Sequence, residues 1–341
     1  MLFVEQIKTD NSEKVKEIYE DFRSKALKNY GYEISSIEFE QFTLNIKENR
    51  LGGLVLFDDS VPQGLLIYSI EEHKVIEINV IHSIDEQNEN AVRLRLLEEL
   101  SEVLRDKTGW KAVSYPMLGT QKSFIRDIAF LNFKLVGQSI IKFDFKSPIA
   151  FRIFKKAQIP EIKDYKLSFW DEKYKEQAIE VIQLAFKNTK NTNFDPRFLS
   201  LEGTKGVLDM ILTNKYGNFL SAYSRLLLRD DKVEGVCLTT MVAEDKLNIP
   251  IVAVRKDTRN KGMGKLLLKS VLSGFIKLIG DKKIMLSEIN ATTDTDNYPA
   301  VNMYRRLGFK EESFYAHSYL KNPNYKCKEI SGLNNSCENK C

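Results

Sequence analysis

The sequence predicts an α+β protein made of two tandem copies of one domain, each a mixed, mostly antiparallel sheet flanked by helices. Three observations predict this fold class. The chain has 341 residues, a length that usually divides into about two domains. A hairpin pattern occurs once in each half, and both halves give the same order of helices and strands. The hydrophobic content of 43% is enough for two cores.

Each half contains a polar turn followed by an apolar strand. In the first half, residues 58–64 (DDSVPQG) lead into the strand Leu65 to Tyr68. In the second half, residues 230–235 (DDKVEG) lead into Val236 to Thr239. A polar turn between two apolar runs is typical of a two-strand hairpin. Each half then predicts a further strand, at residues 76–82 and 248–254.

The two halves also align with each other beyond the hairpins. A constant separation of 172 residues pairs Asp85 with Asp257 and continues along the helix that follows. Further on, residues 131–134 (LNFK) match residues 307–310 (LGFK). Each unit is much longer than a solenoid repeat, so the pattern indicates two copies of one domain. Chance similarity between two amphipathic segments is the alternative.

The predicted domains are residues 1–147 and 165–320. Each opens with helical material, and strands, a helix, a strand, a helix and closing strands follow, which indicates a sheet with flanking helices. The join falls near Lys146 to Lys163, where prolines and lysines interrupt the pattern. Residues 321–341 form a polar tail with three cysteines, which we expect to be disordered.

Composition argues against a secreted, membrane or nucleic-acid-binding protein. Glu5 and Asp10 interrupt the amino-terminal segment, which rules against a secretory signal. No apolar run reaches the roughly 18 residues of a membrane helix. The net charge of +4 is spread rather than clustered. The histidines are far apart and the tail cysteines lack a fourth ligand, so no metal site is expected, and we expect a cytoplasmic protein.

The segment after the strand of residues 248–254 predicts a phosphate-binding turn. Pro250 lies inside that strand and cannot donate to a ladder, so we expect a bulge or a splayed edge there. Residues 259–265 (RNKGMGK) follow and lead directly into a helix. The apolar face of this helix, predicted from 3.6-residue spacing, consists of Leu266, Leu267, Val271, Phe275 and Ile276.

The turn has the features of an anion-binding helix start. A helix amino terminus presents unpaired N–H groups and partial positive charge, which suit a phosphate. Gly262 and Gly264 have no Cβ to hold an anion away from these groups. Arg259, Lys261 and Lys265 add cationic donors. The spacing is neither that of a Walker P-loop nor that of a dinucleotide fingerprint.

A second motif follows the next strand, at residues 297–309 (NYPAVNMYRRLGF). Together with R-x-x-G-x-G at Arg259 to Gly264, the pattern N-x-x-A-x-x-x-Y-x-x-x-G-F resembles the GCN5-related N-acetyltransferase (GNAT) superfamily. The match covers Ile249 to Phe309. The doubled layout is similar to that of tandem members such as mycothiol synthase.

The resemblance implies a site for coenzyme A (CoA). Strand backbone would pair with the pantetheine amides, N–H groups of the turn would hold the pyrophosphate, and Asn297 would contact the pantetheine arm. The implied CoA-binding residues are Val252, Ala253, Val254, Arg259, Asn260, Lys261, Gly262, Met263, Gly264, Lys265 and Asn297. Tyr304 would lie beside the thioester sulfur and is the predicted general acid.

The resemblance further implies transfer of an acetyl group from acetyl-CoA to a primary amine, with the second copy catalytic. We expect a small-molecule acceptor, because a cleft in a two-domain protein encloses a small amine well, and a monomer or homodimer. The alternatives are a non-catalytic acyl-CoA-binding or interaction protein and a protein acetyltransferase that acts on lysine or amino-terminal groups.

The general base stays open. Some superfamily members use a glutamate on the strand before the turn, but the matching residue here is Asn248, which cannot take a full proton. Glu244, Asp245 and Glu288 are carboxylates that can reach the amine through a water, and a water chain is the other alternative.

The first copy departs from both motifs. Gln87, Asn90 and Val92 replace the arginine and the two glycines of the turn, so the cation is absent and side chains crowd the turn. Asn132 replaces Gly308. We expect that this copy does not bind CoA and instead shapes the acceptor pocket of the second copy.

Overall fold

The computed structural model describes residues 2–30, 38–70, 74–105, 107, 109–117, 122–159 and 163–325. By contacts, the chain divides into two compact units. Unit 1 comprises residues 1–134 and the carboxy-terminal residues from Ser318, and unit 2 comprises Leu135–His317. The predicted tail, with Cys327, Cys337 and Cys341, lies outside the described residues apart from its first five positions, 321–325.

Unit 1 is a sheet with helices packed against it. The strand order is β1-β2-β3-β4-β5, and the pairs are antiparallel except β4–β5, which is parallel. Apolar side chains of the first two helices, such as Phe22 and Phe42, pack with Val55 to form its core. The elements are β1 (Leu2–Gln6), α1 (Lys16–Tyr30), α2 (Phe39–Lys47), β2 (Leu51–Asp58), β3 (Val61–Ile70), β4 (Val75–Ser83), α3 (Glu89–Arg105), β5 (Ala112–Met117) and α4 (Lys122–Ile128).

Unit 2 is a larger sheet. Its strand order is β13-β6-β12-β11-β10-β9-β7, with β8 beside β10, and β11–β12 is its parallel pair. The elements are β6 (Lys134–Asp144), α5 (Pro148–Lys156), β7 (Lys166–Phe169), α6 (Lys175–Phe186), α7 (Leu201–Leu212), β8 (Asn218–Phe219), β9 (Arg225–Arg229), β10 (Lys232–Ala243), β11 (Lys246–Val254), α8 (Met263–Gly280), β12 (Glu288–Asp294), α9 (Tyr298–Arg305) and β13 (Lys310–Lys321). None of the helices in the described part of the chain is both long and apolar enough to cross a membrane.

Helices cover both faces of the unit 2 sheet. On β9, Leu226 and Leu228 pack in one cluster with residues of α6 and α7, whereas Leu227 packs in another with residues of α8. This alternation is the two-residue period of a strand that is buried on both faces. The predicted α+β class, a mixed sheet flanked by helices, is confirmed.

Both predicted hairpins are present and use the same kind of turn. Asp59 and Ser60 link β2 to β3 with φ of 44° and 77°, and Asp230 and Asp231 link β9 to β10 with φ of 50° and 60°. Two consecutive left-handed residues match the twist of the flanking strands, and aspartate is among the residues that tolerate this conformation.

The compact units do not coincide with the predicted domains 1–147 and 165–320. β6, the last strand of the first copy, pairs with β12 along the whole length of β12 and lies in unit 2. The end of β13 lies in unit 1, where Ser318 Oγ donates to the Tyr115 carbonyl oxygen at 3.1 Å. A strand belongs to the unit in which its hydrogen bonds are made, and a sequence repeat carries no information about this pairing.

The predicted join contains a helix, α5. Ser147 Oγ accepts a hydrogen bond from the Ala150 N–H at 3.3 Å, and Pro148 occupies the first turn. Proline is favourable there because its missing N–H is not needed. Phe154 of this helix is buried in the core of unit 2. Residues 148–156 of the predicted join therefore form an ordered helix.

Candidate active site

β11 and β12 form a fork in the sheet of unit 2. Their parallel pairing stops at Asn248, although β11 continues to Val254. The register between β10 and β11 shifts at the same place, since Leu238 pairs with Ile251 but Thr240 pairs with Asn248. β11 thus carries an extra residue around Pro250, and the predicted bulge and splayed edge are confirmed.

The first copy has the same fork without a proline. The parallel pairing of β4 with β5 stops at Glu77, and Asn79 is the extra residue between the pairs Ile67–Val80 and Tyr68–Ile78. The bulge therefore belongs to the fold. Pro250 is compatible with it but does not cause it.

The turn between β11 and α8 contains two left-handed residues. A single 3₁₀ turn at Lys256–Thr258 is followed by Asn260 with φ of 61° and Gly262 with φ of 78°. Glycine adopts this region without steric cost, so Gly262 suits the position directly before α8. α8 then begins at Met263.

The N–H groups at the start of α8 are open. The first helical bond runs from the Leu266 N–H to the Gly262 carbonyl oxygen at 3.0 Å. Within the described part of the chain, no hydrogen-bond acceptor is found for the N–H groups of residues 261–265. The first turn also contains no acidic residue. These donors, with the partial positive charge of the helix end, are therefore available to a ligand.

Arg259 braces the turn from outside. Its Nε donates to the Val254 carbonyl oxygen at 3.1 Å, and its Nη2 donates to the Ala185 carbonyl oxygen at 3.2 Å. Lys261 is exposed and Lys265 is half-buried. The two lysines are the cations that can turn toward an anion, whereas the arginine is already held by two carbonyl groups.

Gly264 serves the packing of two helices. A Cβ at this position would lie 2.8 Å from Met303 Sδ and 3.8 Å from Val254 Cγ2. The absence of that atom lets α8 approach α9. Both glycines were predicted to expose N–H groups, but at Gly264 the position of the missing Cβ faces Met303.

A buried carboxylate that sequence reasoning missed anchors the turn. Glu234 on β10 accepts a hydrogen bond from Thr258 Oγ1 at 2.7 Å and an ion-pair contact from Arg229 Nη2 at 3.3 Å. The Arg255 N–H donates to the Glu234 carbonyl oxygen at 2.9 Å. Glu234 is 4% exposed, so these bonds are shielded from water. They hold the start of the turn against the sheet. Its place before the glycine of the hairpin gave no signal of this role.

A cavity of about 290 Å³ opens at the fork of unit 2. Of the predicted site residues, Val252, Asn297 and Tyr304 line it. Ala253, Val254 and residues 259–265 do not line it. The turn lies close by, because Met303, which lines the cavity, is the residue that Gly264 faces.

Tyr304 reaches the cavity from α9. It is 5% exposed, and its ring packs edge-on against Phe309 with 5.0 Å between centroids. Burial raises the pKa of Tyr304 well above its usual range, and the neighbouring Cys237 thiol adds to the rise. No hydrogen bond to the Tyr304 hydroxyl is found among the described residues. The phenol therefore stays protonated and can donate to a ligand.

Asn297 caps α9 at the edge of the cavity. Its side-chain oxygen accepts from the Ala300 N–H at 3.3 Å, which leaves the amide NH₂ group as the donor available to a ligand. This cap is the local reason for the N-x-x-A part of the motif.

None of the carboxylates proposed as the base lines the cavity. Glu244 and Asp245 lie in the turn between β10 and β11. Glu288 forms ion pairs with Lys142 at 3.2 Å and Lys246 at 3.8 Å. Asn248 pairs along the closed part of the fork and does not line the cavity either.

A carboxylate that sequence reasoning missed, Asp294, does line the cavity. It ends β12 and is 8% exposed. Gln138 Nε2 donates to Asp294 Oδ1 at 2.6 Å across the β6–β12 pair. Burial raises the pKa of Asp294, and the Gln138 hydrogen bond opposes part of the rise. The sequence signal was an aspartate at the end of a buried strand, three residues before Asn297.

The corresponding turn of the first copy contains acidic side chains of its own. Asp85 Oδ1 accepts hydrogen bonds from the N–H groups of Gln87 and Asn88, both at 3.0 Å, directly before α3. Glu89 begins the helix and pairs with the buried Arg93. The helix start thus already contains acceptors and negative charge.

Comparison with known proteins identifies the class. Residues 217–311 match the family model described as an acetyltransferase (GNAT) domain. A GCN5-related N-acetyltransferase from Sphaerobacter thermophilus superposes with a TM-score of 0.60 and 14% identity, covering 94% of this chain and 95% of that one. A tandem GNAT protein from the clavulanic acid biosynthesis pathway gives 0.58 and 12%, covering 94% and 98%. No curated protein sequence matches the chain.

A third structure shows the same fold inside a larger protein. The chain superposes on a GCN5-related glucosamine N-acetyltransferase region of a fungal multi-domain GH3 β-N-acetylglucosaminidase with a TM-score of 0.57 and 12% identity, covering 94% of this chain but 38% of that one. Identities this low establish the fold alone. Residues 217–311 match a GNAT domain, the chain shares its fold with a tandem GNAT structure, and the resemblance found in the sequence is confirmed. The likeness in layout to mycothiol synthase stays a prediction.

Proposed function

We propose that this protein is an N-acetyltransferase that moves the acetyl group of acetyl-CoA to the primary amine of a small molecule. The observation that carries the proposal is the meeting, within unit 2, of three features: open N–H groups at the start of α8, the fork between β11 and β12, and a cavity lined by Tyr304. The GNAT fold supports acyl transfer in general, and these features support the finer assignment.

The residues of the turn and the fork fit CoA. Open N–H groups of residues 261–265, with Lys261 and Lys265, provide donors for a pyrophosphate. The free edge of β11 beyond Asn248 offers backbone groups to the pantetheine amides, as an added strand does. The Asn297 amide offers a further donor at the cavity. Acetyl-CoA, when bound, supplies an acyl group on a thiol leaving group.

Tyr304 is placed to serve the leaving thiol. Because its pKa is raised by burial, the phenol does not ionise at neutral pH, and it donates its hydrogen bond as negative charge develops on sulfur. Proton transfer from such a weak acid is favourable only if the phenol regains a proton as it gives one. The nitrogen loses one proton as the N–C bond forms and the C–S bond breaks; Tyr304 would take up this proton as it gives its own to the leaving sulfur, and so ends the step protonated.

Thiol release from acetyl-CoA with a panel of primary amines tests the proposal. We expect release that depends on the amine. Tyr304→Phe should lower kcat by about 100-fold, within the range of general acid–base catalysis, with the CoA dissociation constant unchanged within about twofold. Tyr298→Phe, on the same helix but 69% exposed, is the matched control and should keep full activity.

The alternatives predict other outcomes. CoA binding without turnover of any amine, unaffected by Tyr304→Phe, would support a non-catalytic acyl-CoA-binding or interaction protein. Turnover of lysine or amino-terminal peptides in preference to small amines would support a protein acetyltransferase. Absence of CoA binding in calorimetry would reject the whole assignment.

A further inference from the structure

The charges that line the cavity do not balance. Asp195, Arg197 and Asp294 are the charged residues among those that line it. Arg197 and Asp195 form two parallel hydrogen bonds, Nε to Oδ1 and Nη2 to Oδ2, both at 2.7 Å. This pair neutralises itself and leaves Asp294 as the uncompensated charge of the cavity wall.

Asp294 has a neutral partner in place of a cation. Its hydrogen-bond donor is the amide of Gln138. The other ionisable groups that act on it are Asp296, Lys190 and Tyr315, and Lys190 is paired with Asp296. A carboxylate that is 8% exposed without a cation is costly unless a ligand supplies one.

One polar atom in the cavity wall has no hydrogen-bond partner among the described residues. Asn191 lines the cavity, and its side-chain oxygen is buried without a hydrogen bond to any described residue. An ammonium group has three donors and no acceptor. Acceptors such as the Asp294 carboxylate and the Asn191 oxygen suit it.

One side of the wall is apolar. Phe198, Val207 and Ile211, from the α6–α7 region, are all less than 9% exposed and line the cavity. A volume of about 290 Å³ lies near the lower end for small-molecule sites, roughly 300 to 1,000 Å³. The space suits an amine of modest size with an apolar body better than a polycation.

We propose that Asp294 is the binding site for the amine that accepts the acetyl group. Asp294 binds the ammonium group of a small monocationic amine with an apolar body and takes one of its protons. The inference rests on the proposed function and names its acceptor class and its missing base. Gln138, which comes from the first sequence copy, is a positioning residue that orients the carboxylate.

The proton step balances within the site. One N–H bond of the ammonium breaks, its electron pair stays on nitrogen, and the proton forms an O–H bond on Asp294. The amine nitrogen is then neutral and nucleophilic. Asp294 returns the proton to water after the product leaves. Because burial raises its pKa, Asp294 is a stronger base than an exposed aspartate.

Two amines and one variant test the inference. With 2-phenylethylamine, Asp294→Asn should raise the KM and the dissociation constant measured in the presence of CoA by about tenfold or more and lower kcat by about 100-fold. The CoA dissociation constant and the near-ultraviolet circular dichroism should not change. Phenylalanine, which adds a carboxylate to the same body, should be a poorer acceptor. Glu244→Gln, at an exposed carboxylate that does not line the cavity, is the matched control.

A pH profile separates a base from a purely structural role. In the wild type, kcat/KM should rise with pH through an apparent pKa above the usual aspartate value, and Asp294→Asn should abolish this limb. Gln138→Leu removes the hydrogen bond that lowers the Asp294 pKa, so the limb should move to higher pH. An unchanged limb in both variants would overturn the role of Asp294 as the base.

The outcomes also separate this inference from the proposed function. If the wild type acetylates amines and Asp294→Asn has the same KM and kcat, the inference is overturned and the proposed acetyltransferase activity stands. CoA binding with neither amine binding nor turnover in the wild type would overturn both. Amine binding that requires Asp294 but is never followed by turnover would overturn the acetyltransferase and the proton step together.

Discussion

The starts of α3 and α8 are the same element of the two copies, but they differ in their acidic residues. Before α3, Asp85 accepts from the N–H groups of the two residues that precede the helix, and Glu89 adds a carboxylate in the first turn. Before α8, the N–H groups of residues 261–265 are open and the first turn has no acidic residue. One copy uses its own carboxylates as the anion, whereas the other leaves the place to a ligand.

This difference indicates which features of a copy are needed for CoA binding. The fork and its bulge are present in both copies, at Asn79 in one and at Pro250 in the other. A fork alone therefore does not mark a CoA site. The first copy has a carboxylate, Glu89, in the first turn of α3, and Asp127 on α4 accepts a hydrogen bond from Asn90 Nδ2 at 2.8 Å, which ties α3 to α4.

The largest expected effect comes from closing the second turn with a side chain. Gly262→Val places a β-branched residue at a φ of 78°, where its side chain also occupies the space proposed for the pyrophosphate. CoA binding should therefore weaken by about tenfold or more. Isothermal titration calorimetry measures it. Gly280→Ala, at the other end of α8, where an added Cβ meets nothing within 4 Å, is the matched control. Equal affinity of both variants would count against the turn as the pyrophosphate site.

A smaller effect is expected from giving the second copy the charge of the first. Lys261→Glu puts a carboxylate beside the open N–H groups, where it competes with the pyrophosphate, and should raise the CoA dissociation constant by about fivefold at low salt. The effect should shrink as salt rises, because Lys261 is exposed. Lys310→Glu, an equally exposed charge reversal on β13, should leave CoA affinity unchanged. A salt-independent loss would indicate a structural disturbance instead.

The smallest effect is expected in the first copy. Hydrogen bonds from Asn88 hold the pKa of Asp85 below its usual range. A group whose folded-state pKa is lowered stabilises the fold above its unfolded pKa, and this contribution is lost as pH falls through the folded value. On acidification from about pH 5, wild type should lose slightly more stability than Asp85→Asn. Urea unfolding at several pH values measures this.

Asp85→Asn should also leave CoA binding and acetyl transfer untouched, because Gln87, Asn90 and Val92 still replace the arginine and the two glycines of the second copy's turn. Glu86→Gln, at the next carboxylate along the chain, is the control for the general effect of removing a surface charge. A change in CoA affinity on Asp85→Asn would show that the first copy takes part in CoA binding and would break the comparison.

Most of the fold and one part of the site could be predicted from the sequence. Periodicity fixed the buried face of α8, where Leu267 and Val271 are fully buried. The polar turn residues predicted both hairpins. The glycine at position 262 before an apolar helix was visible because backbone conformation depends on the residue itself. The sequence could not reveal that Gly264 faces Met303, since that contact joins two helices.

What the sequence by itself determined is local: which segments are helices, strands and turns, and which helix start has no acid of its own. The tertiary structure alone decided that Asp294 lines the cavity and that Gln138 of the first copy donates to it. The physical reason is that backbone conformation is a property of neighbouring residues. The pairing of β6 with β12 joins residues 144 to 156 positions apart, from Glu288–Asp144 to Asp294–Gln138, and no short pattern encodes it.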